Sequence, residues 1–100
     1  VRDISLKDVQ TGKKKDIETD GVFIFVGFAP NHELVPAGIK KNQSGYVITD
    51  EKCETAIAGI FAVGDLRQKY ANQIVLAAAD GCTAALAAAH YVETRKSRRT

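Results

Sequence analysis

The chain has 100 residues, 45% hydrophobic and 26% charged, with eight Gly and two Pro; this excludes disordered and fibrous classes and predicts one small soluble globular unit. The net charge is +2, yet Arg95, Lys96, Arg98 and Arg99 carry four of the fourteen cations, and without them ten bases face twelve acids. The body therefore has no broad basic face, and no aromatic residues interleave with Lys and Arg, which excludes nucleic acid as the main ligand.

In chain order, residues 3–7 and 15–19 alternate apolar and charged around Ile4, Leu6 and Ile17, with a turn at Thr11-Gly12-Lys13 between them. This predicts an exposed β-hairpin. Residues 22–26, Val-Phe-Ile-Phe-Val, form an unbroken β-branched and aromatic run ending at Gly27. That is the pattern of a strand covered on both faces inside a layered sheet. Ala29-Pro30-Asn31 breaks it, and Asn31 is the expected N-cap of a short helical turn through Val35, stopped by Pro36 and Gly38.

After the turn Gln43-Ser44-Gly45, residues 46–49 predict a short strand, and residues 50–52 a loop. Within residues 59–65, Gly-Ile-Phe-Ala-Val-Gly-Asp, the four apolar residues 60–63 predict a short buried strand with Gly64 and Asp65 at its carboxyl end, where ligands sit in open α/β sheets. Residues 73–95 read as one helix with Asn72 as N-cap. Its alanines lie on several faces, which predicts close packing on more than one side despite Gly81, whose helix cost is about 1 kcal/mol. Asp80, Thr83 and His90 interrupt the apolar stretch 74–92, so no membrane span is expected. Asp80, alone among these apolar residues, is read as structural, capping a neighbouring loop or pairing across an interface.

The chain holds no methionine and opens at Val1, which is read as an excised piece of a larger enzyme with partner surface missing. Cys53 and Cys82 match neither C-x-x-C nor a zinc-ligand spacing, and both are expected to be buried thiols of a cytoplasmic protein. His32 and His90 belong to no motif and are read as surface or packing residues. No catalytic or metal-ligating residue is assigned.

The chemistry concentrates at Gly64-Asp65 and the helix start that follows within ten residues. Glycine lets a ligand approach the backbone, and the Asp65 carboxylate offers two acceptor oxygens to a polyhydroxyl chain. The backbone amides at Gln73 and Ile74 present unpaired donors at the positive pole of the helix, suited to an electron-rich carbonyl or a developing anion. A Gly-Asp pair alone marks a turn. Strand, spacing and helix together describe a flavin site, with ribityl hydroxyls on Asp65 and the pyrimidine edge at the helix start.

Residues 21–31 (GVFIFVGFAPN), 45–50 (GYVITD) and 55–65 (TAIAGIFAVGD), in this order, resemble the C-terminal third of bacterial-type thioredoxin reductases, within the pyridine nucleotide-disulfide oxidoreductases, over nearly the whole chain. The resemblance implies an α/β fold, the C-terminal part of a three-layer FAD/NAD(P)-binding architecture. Residues 1–24 would be the closing strands of the NAD(P)H-binding domain, and residues 25–100 would complete the FAD domain. It assigns FAD contacts to Gly64, Asp65, Gln73 and Ile74, and makes FAD and NADPH the cofactors of the whole enzyme. It further implies a cytoplasmic homodimer whose disulfide partner is thioredoxin or a similar protein. Many relatives carry Arg where Asn72 stands, and Arg67 and Lys69 are the nearby cations.

The chain contains neither G-x-G-x-x-G nor C-x-x-C, so it is expected to be inactive alone. Peroxiredoxin-reducing flavoproteins and thioredoxin-reductase-like ferredoxin reductases share similar motifs and stand as alternatives. A third alternative is a cofactor-free, self-associating module.

Overall fold

The computed structural model describes residues 1–99. At its amino end the alternating segments pair as an antiparallel hairpin, β1 (Asp3–Lys7) with β2 (Lys14–Glu18). Ile4 lies opposite Ile17, and the Ser5 hydroxyl donates to the Asp16 carboxylate beside them. Asp8 shapes the turn: its carboxylate accepts the Gln10 and Thr11 amides at 2.8 and 2.9 Å, and Gly12 takes φ +73°. The Thr11 amide, then that of Gln10, holds the Asp8 carboxyl below its ordinary value.

The next segment departs from expectation. Residues 22–26 form no strand; Phe23 and Phe25 are 88% and 89% exposed, and their rings stack with centroids 6.4 Å apart. A fully covered strand needs hydrogen-bonding neighbours on both edges and side chains over both faces. The described residues offer this segment neither. A run this apolar and β-prone, without charge or Pro, is an association hazard when uncovered. The isolated 100-residue chain is therefore expected to aggregate through residues 22–28, with rising light scattering and thioflavin fluorescence. Phe25→Lys should suppress both; equal signals from the two chains would refute this.

Residues 31–35 form no helix either. The Val35 amide donates to the His32 carbonyl and the Ile39 amide to the Pro36 carbonyl, giving two successive turns. Asn31 therefore caps nothing helical.

The two short strands expected at 46–49 and 60–63 contract to single bridges. Val47 pairs with Lys41 on one side and Arg67 on the other, and Phe61 pairs with Glu54. Asn42 and Asp50 set the intervening turns by accepting nearby backbone amides on their carboxamide and carboxylate oxygens. Side-chain-to-backbone bonds of this kind compete with a regular ladder, which is why the pairing stays so short. Ile60 and Val63 remain exposed rather than buried.

One long helix, α1 (Ile74–Ser97), closes the chain. It buries one stripe only: Asp80 and Ala84 are buried, and Ala77, Ala87, Ala88 and Tyr91 half-buried, at helical spacing. The expected packing on several sides is absent among the described residues, where Ile74, Val75 and Leu86 stand exposed. The core is correspondingly small, with Ile39, Val47, Cys53 and Ala84 as its buried apolar members. The radius of gyration is 20.7 Å, against about 13 Å for a compact unit of this length, so no single core organises all the described residues. By length and composition α1 is apolar enough to cross a membrane, with a mean hydropathy of 1.3 over its most apolar window. The interruptions at Asp80, Thr83 and His90 do not bring it below that limit. Asp80 nevertheless anchors it to the loops through the ion pairs described below.

Candidate functional site

Phe61 and Tyr91 meet edge to face at 6.5 Å, and this contact seats the loop 54–61 on α1. Gly59, at φ +83°, lies so close to the Tyr91 ring that a Cβ there would fall within 2.8 Å of it. From this anchor the backbone runs through Ala62 and Val63 into a 3-10 turn at Gly64–Leu66. Gly64 adopts φ +72°, and a Cβ added to it would stand 3.7 Å from the Ala77 Cβ. Glycine at 64 thus serves the left-handed turn and a close approach to the helix.

The turn packs on the first turns of α1. Three donors converge there on the Asp80 carboxylate. The Gly64 amide and Lys69 Nζ donate to Oδ2 at 3.0 and 2.7 Å, and Arg67 Nη1 donates to Oδ1 at 2.8 Å. Arg67 Nε donates in addition to Thr49 Oγ1 at 2.8 Å. Burial pushes the Asp80 carboxyl up, but Lys69, the Gly64 amide and Arg67 outweigh it and hold it below the ordinary carboxylate value. Arg67 and Lys69 are thereby paired with Asp80.

Asp65 is different. It is exposed, and its side chain makes no hydrogen bond or ion pair among the described residues. It lines a cleft of about 310 Å³ together with Phe28, Pro30, Asn31, Tyr46 and Asn72. Gly64, Gln73 and Ile74 lie outside that lining. The helix begins at Ile74 with Gln73 as its N-cap, one residue beyond the expected Asn72. The Gln73 side chain makes no capping bond and no acidic residue occupies the first turn, so among the described residues the positive pole keeps its donors free of protein acceptors.

The structure therefore brings the Gly64-Asp65 turn to the opening turns of α1, and leaves an uncommitted carboxylate and an uncapped helix start there. Asp80 caps a neighbouring loop, one of the two structural roles expected of it, but its partners Gly64, Arg67 and Lys69 were not named from sequence, and the aromatic walls Phe28 and Tyr46 were missed. A lone acid in an apolar helix, with two cations within five residues of Gly64, was the available signal.

The thiols differ. Cys53, at φ +64°, is buried with its Sγ 3.7 Å from the Asp80 carbonyl, and burial pushes its pKa up. Cys82, expected to be buried, is exposed, because it sits on the uncovered face of α1. Alkylation at neutral pH is expected to label Cys82 at once and Cys53 only on unfolding. Peptide mapping checks this, and equal rates would refute it.

Comparison with known proteins supplies the context. The family model described as pyridine nucleotide-disulphide oxidoreductase matches residues 1–81. The chain is 43% identical over 94 residues to a thioredoxin reductase of Treponema pallidum (strain Nichols), covering 94% of this chain and 30% of that protein. It is 44% identical to a thioredoxin reductase of Bacillus subtilis (strain 168), covering 93% and 29%. The crystal structure of thioredoxin reductase from Streptococcus pyogenes MGAS5005 superposes with a TM-score of 0.73 at 39% identity, covering 93% of this chain and 30% of that one. The chain thus spans about three tenths of the length of the relatives it matches. Those neighbours carry the three-layer α/β architecture to which the hairpin and long helix conform. The family match runs through the hairpin, the 3-10 turn and the first turns of α1, and the chain belongs to the pyridine nucleotide-disulphide oxidoreductase family.

Proposed function

We propose that this chain is the part of a thioredoxin-reductase-like flavoprotein that holds the ribityl and pyrimidine portions of FAD. FAD and NADPH are the cofactors of thioredoxin reductases in this family. The observation that carries the proposal is the uncommitted Asp65 carboxylate on the turn packed against the uncapped start of α1. The residues fit such a group. Asp65 accepts from ribityl hydroxyls, and Gly64, lacking a Cβ, lets the ligand chain pass close to the backbone. The amides at Gln73 and Ile74 donate to the pyrimidine carbonyl edge, and the helix pole favours the negative charge that reduction brings there.

Bound FAD supplies the electron exchange between NADPH and a disulfide. The chain's own residues bind and orient; none takes or gives a proton in this reading. Residues 1–24 belong to the nucleotide domain and residues 25–100 to the FAD domain. The phosphate-binding loops and the redox dithiol come from elsewhere in a longer protein, so the 100 residues alone are inactive. The whole enzyme acts in the cytoplasm on thioredoxin or a similar disulfide protein, as a homodimer.

The test is Asp65→Ala in the intact protein. It should lose its yellow flavin absorbance on purification while keeping its far-ultraviolet circular dichroism. A folded variant that stays yellow refutes the reading, and a colourless wild type favours the cofactor-free, self-associating module instead.

A further inference from the structure

We propose that Asp80 is a positioning residue for the flavin site: its carboxylate clamps both ends of the loop 64–69 onto α1 and so fixes Asp65 relative to the helix start. The inference rests on the flavin reading above and adds to it a residue that contacts no ligand.

Asp80 holds the loop at Gly64, the residue immediately before Asp65, and again at Arg67 and Lys69. Asp65 lies between these ties, and its side chain has none of its own among the described residues. The same carboxylate sits six residues along the helix from Ile74, about 9 Å of axial rise from its start. One side chain therefore links the two halves of the proposed grip. Arg67 extends the link to Thr49, and the Val47 amide and carbonyl, paired with Leu66 and Gln68, hold the loop from its other side. A buried ionic cluster is a poor device for stability alone, since apolar packing of similar volume serves as well or better. Three donors of fixed origin on two oxygens instead specify a single loop geometry.

The experiment uses two variants of the intact protein, stripped of flavin and titrated with FAD, with thermal unfolding of the flavin-free forms followed in parallel. Asp80→Asn keeps the shape and removes the charge. Asp80→Glu keeps the charge and moves the acceptor by one methylene. Both are expected to fold, to bind FAD about tenfold more weakly, the scale of one hydrogen bond, and to blur the resolved shoulders of the bound flavin spectrum. A folded variant of either kind with wild-type FAD affinity overturns the proposal. Loss of folding in both overturns it too, because Asp80 would then serve stability rather than position. Asp65→Ala is measured alongside. If it binds FAD normally, the flavin reading itself falls. If it loses FAD while the Asp80 variants retain it, only the positioning role falls.

Discussion

Asp65→Ala is expected to weaken FAD binding in the intact protein by two to four orders of magnitude. Hydrogen bonds to a charged acceptor contribute about 1.5–3 kcal/mol each, and a carboxylate accepting two ribityl hydroxyls loses both on truncation. About 1.4 kcal/mol is tenfold in affinity, which gives the range. The fold has little stake in the change. Asp65 is exposed and has no partner among the described residues, so its removal strands no buried donor there and opens no cavity. Calorimetric titration of flavin-free protein measures the loss, and chemical denaturation should show stability within about 0.5 kcal/mol of wild type. Asp65→Asn should fall between the two, since the carboxamide keeps one acceptor oxygen and loses the charge. A drop below threefold for Asp65→Ala would place the ribityl chain elsewhere.

The residues that made the Gly64-Asp65 turn and the helix start legible in the sequence are those whose type is dictated locally. Gly64 must tolerate a positive φ, and Gly-Asp ahead of an apolar helix announces both the turn and the pole behind it. The hairpin was legible for the same reason, since alternation and a Gly-containing turn are short-range signals. The strand expected at 22–26 failed because its residue types report burial between layers that the described residues do not supply, and its neighbours in sequence offer no pairing. The strand readings at 46–49 and 60–63 failed more narrowly. Apolar β-branched residues are present, but Asn42, Asp50 and Thr55 hold backbone amides on their side chains and shorten the ladders to bridges. That Asp80 caps a neighbouring loop was legible, but its partners were not, because they come from a loop 11 to 16 residues earlier and no periodicity encodes that meeting.

The same cluster should govern acid stability. The Asp80 carboxyl lies below its ordinary value in the folded protein because Lys69, the Gly64 amide and Arg67 together overcome the opposing effect of burial. A carboxyl depressed on folding stabilises the native state fully above its unfolded value, about 3.9. That contribution is lost as pH falls from there through the lower folded value, where the native carboxylate is protonated as well. Lys69→Met removes the shortest of the three contacts, 2.7 Å, at a side chain only 8% exposed. It leaves Asp80 with Arg67 and the Gly64 amide. Breaking a buried pair outright costs about 3–5 kcal/mol, so with two partners kept the expected loss in the intact protein at neutral pH is about 2 kcal/mol. The folded carboxyl value of the variant then lies closer to the unfolded one, and less stability remains to be lost in acid. Urea midpoints followed from pH 7 down to about 2.5 should therefore start apart and converge below about pH 4. Curves that stay parallel into acid would show that Lys69 stabilises the fold through its aliphatic stem and not through the Asp80 charge.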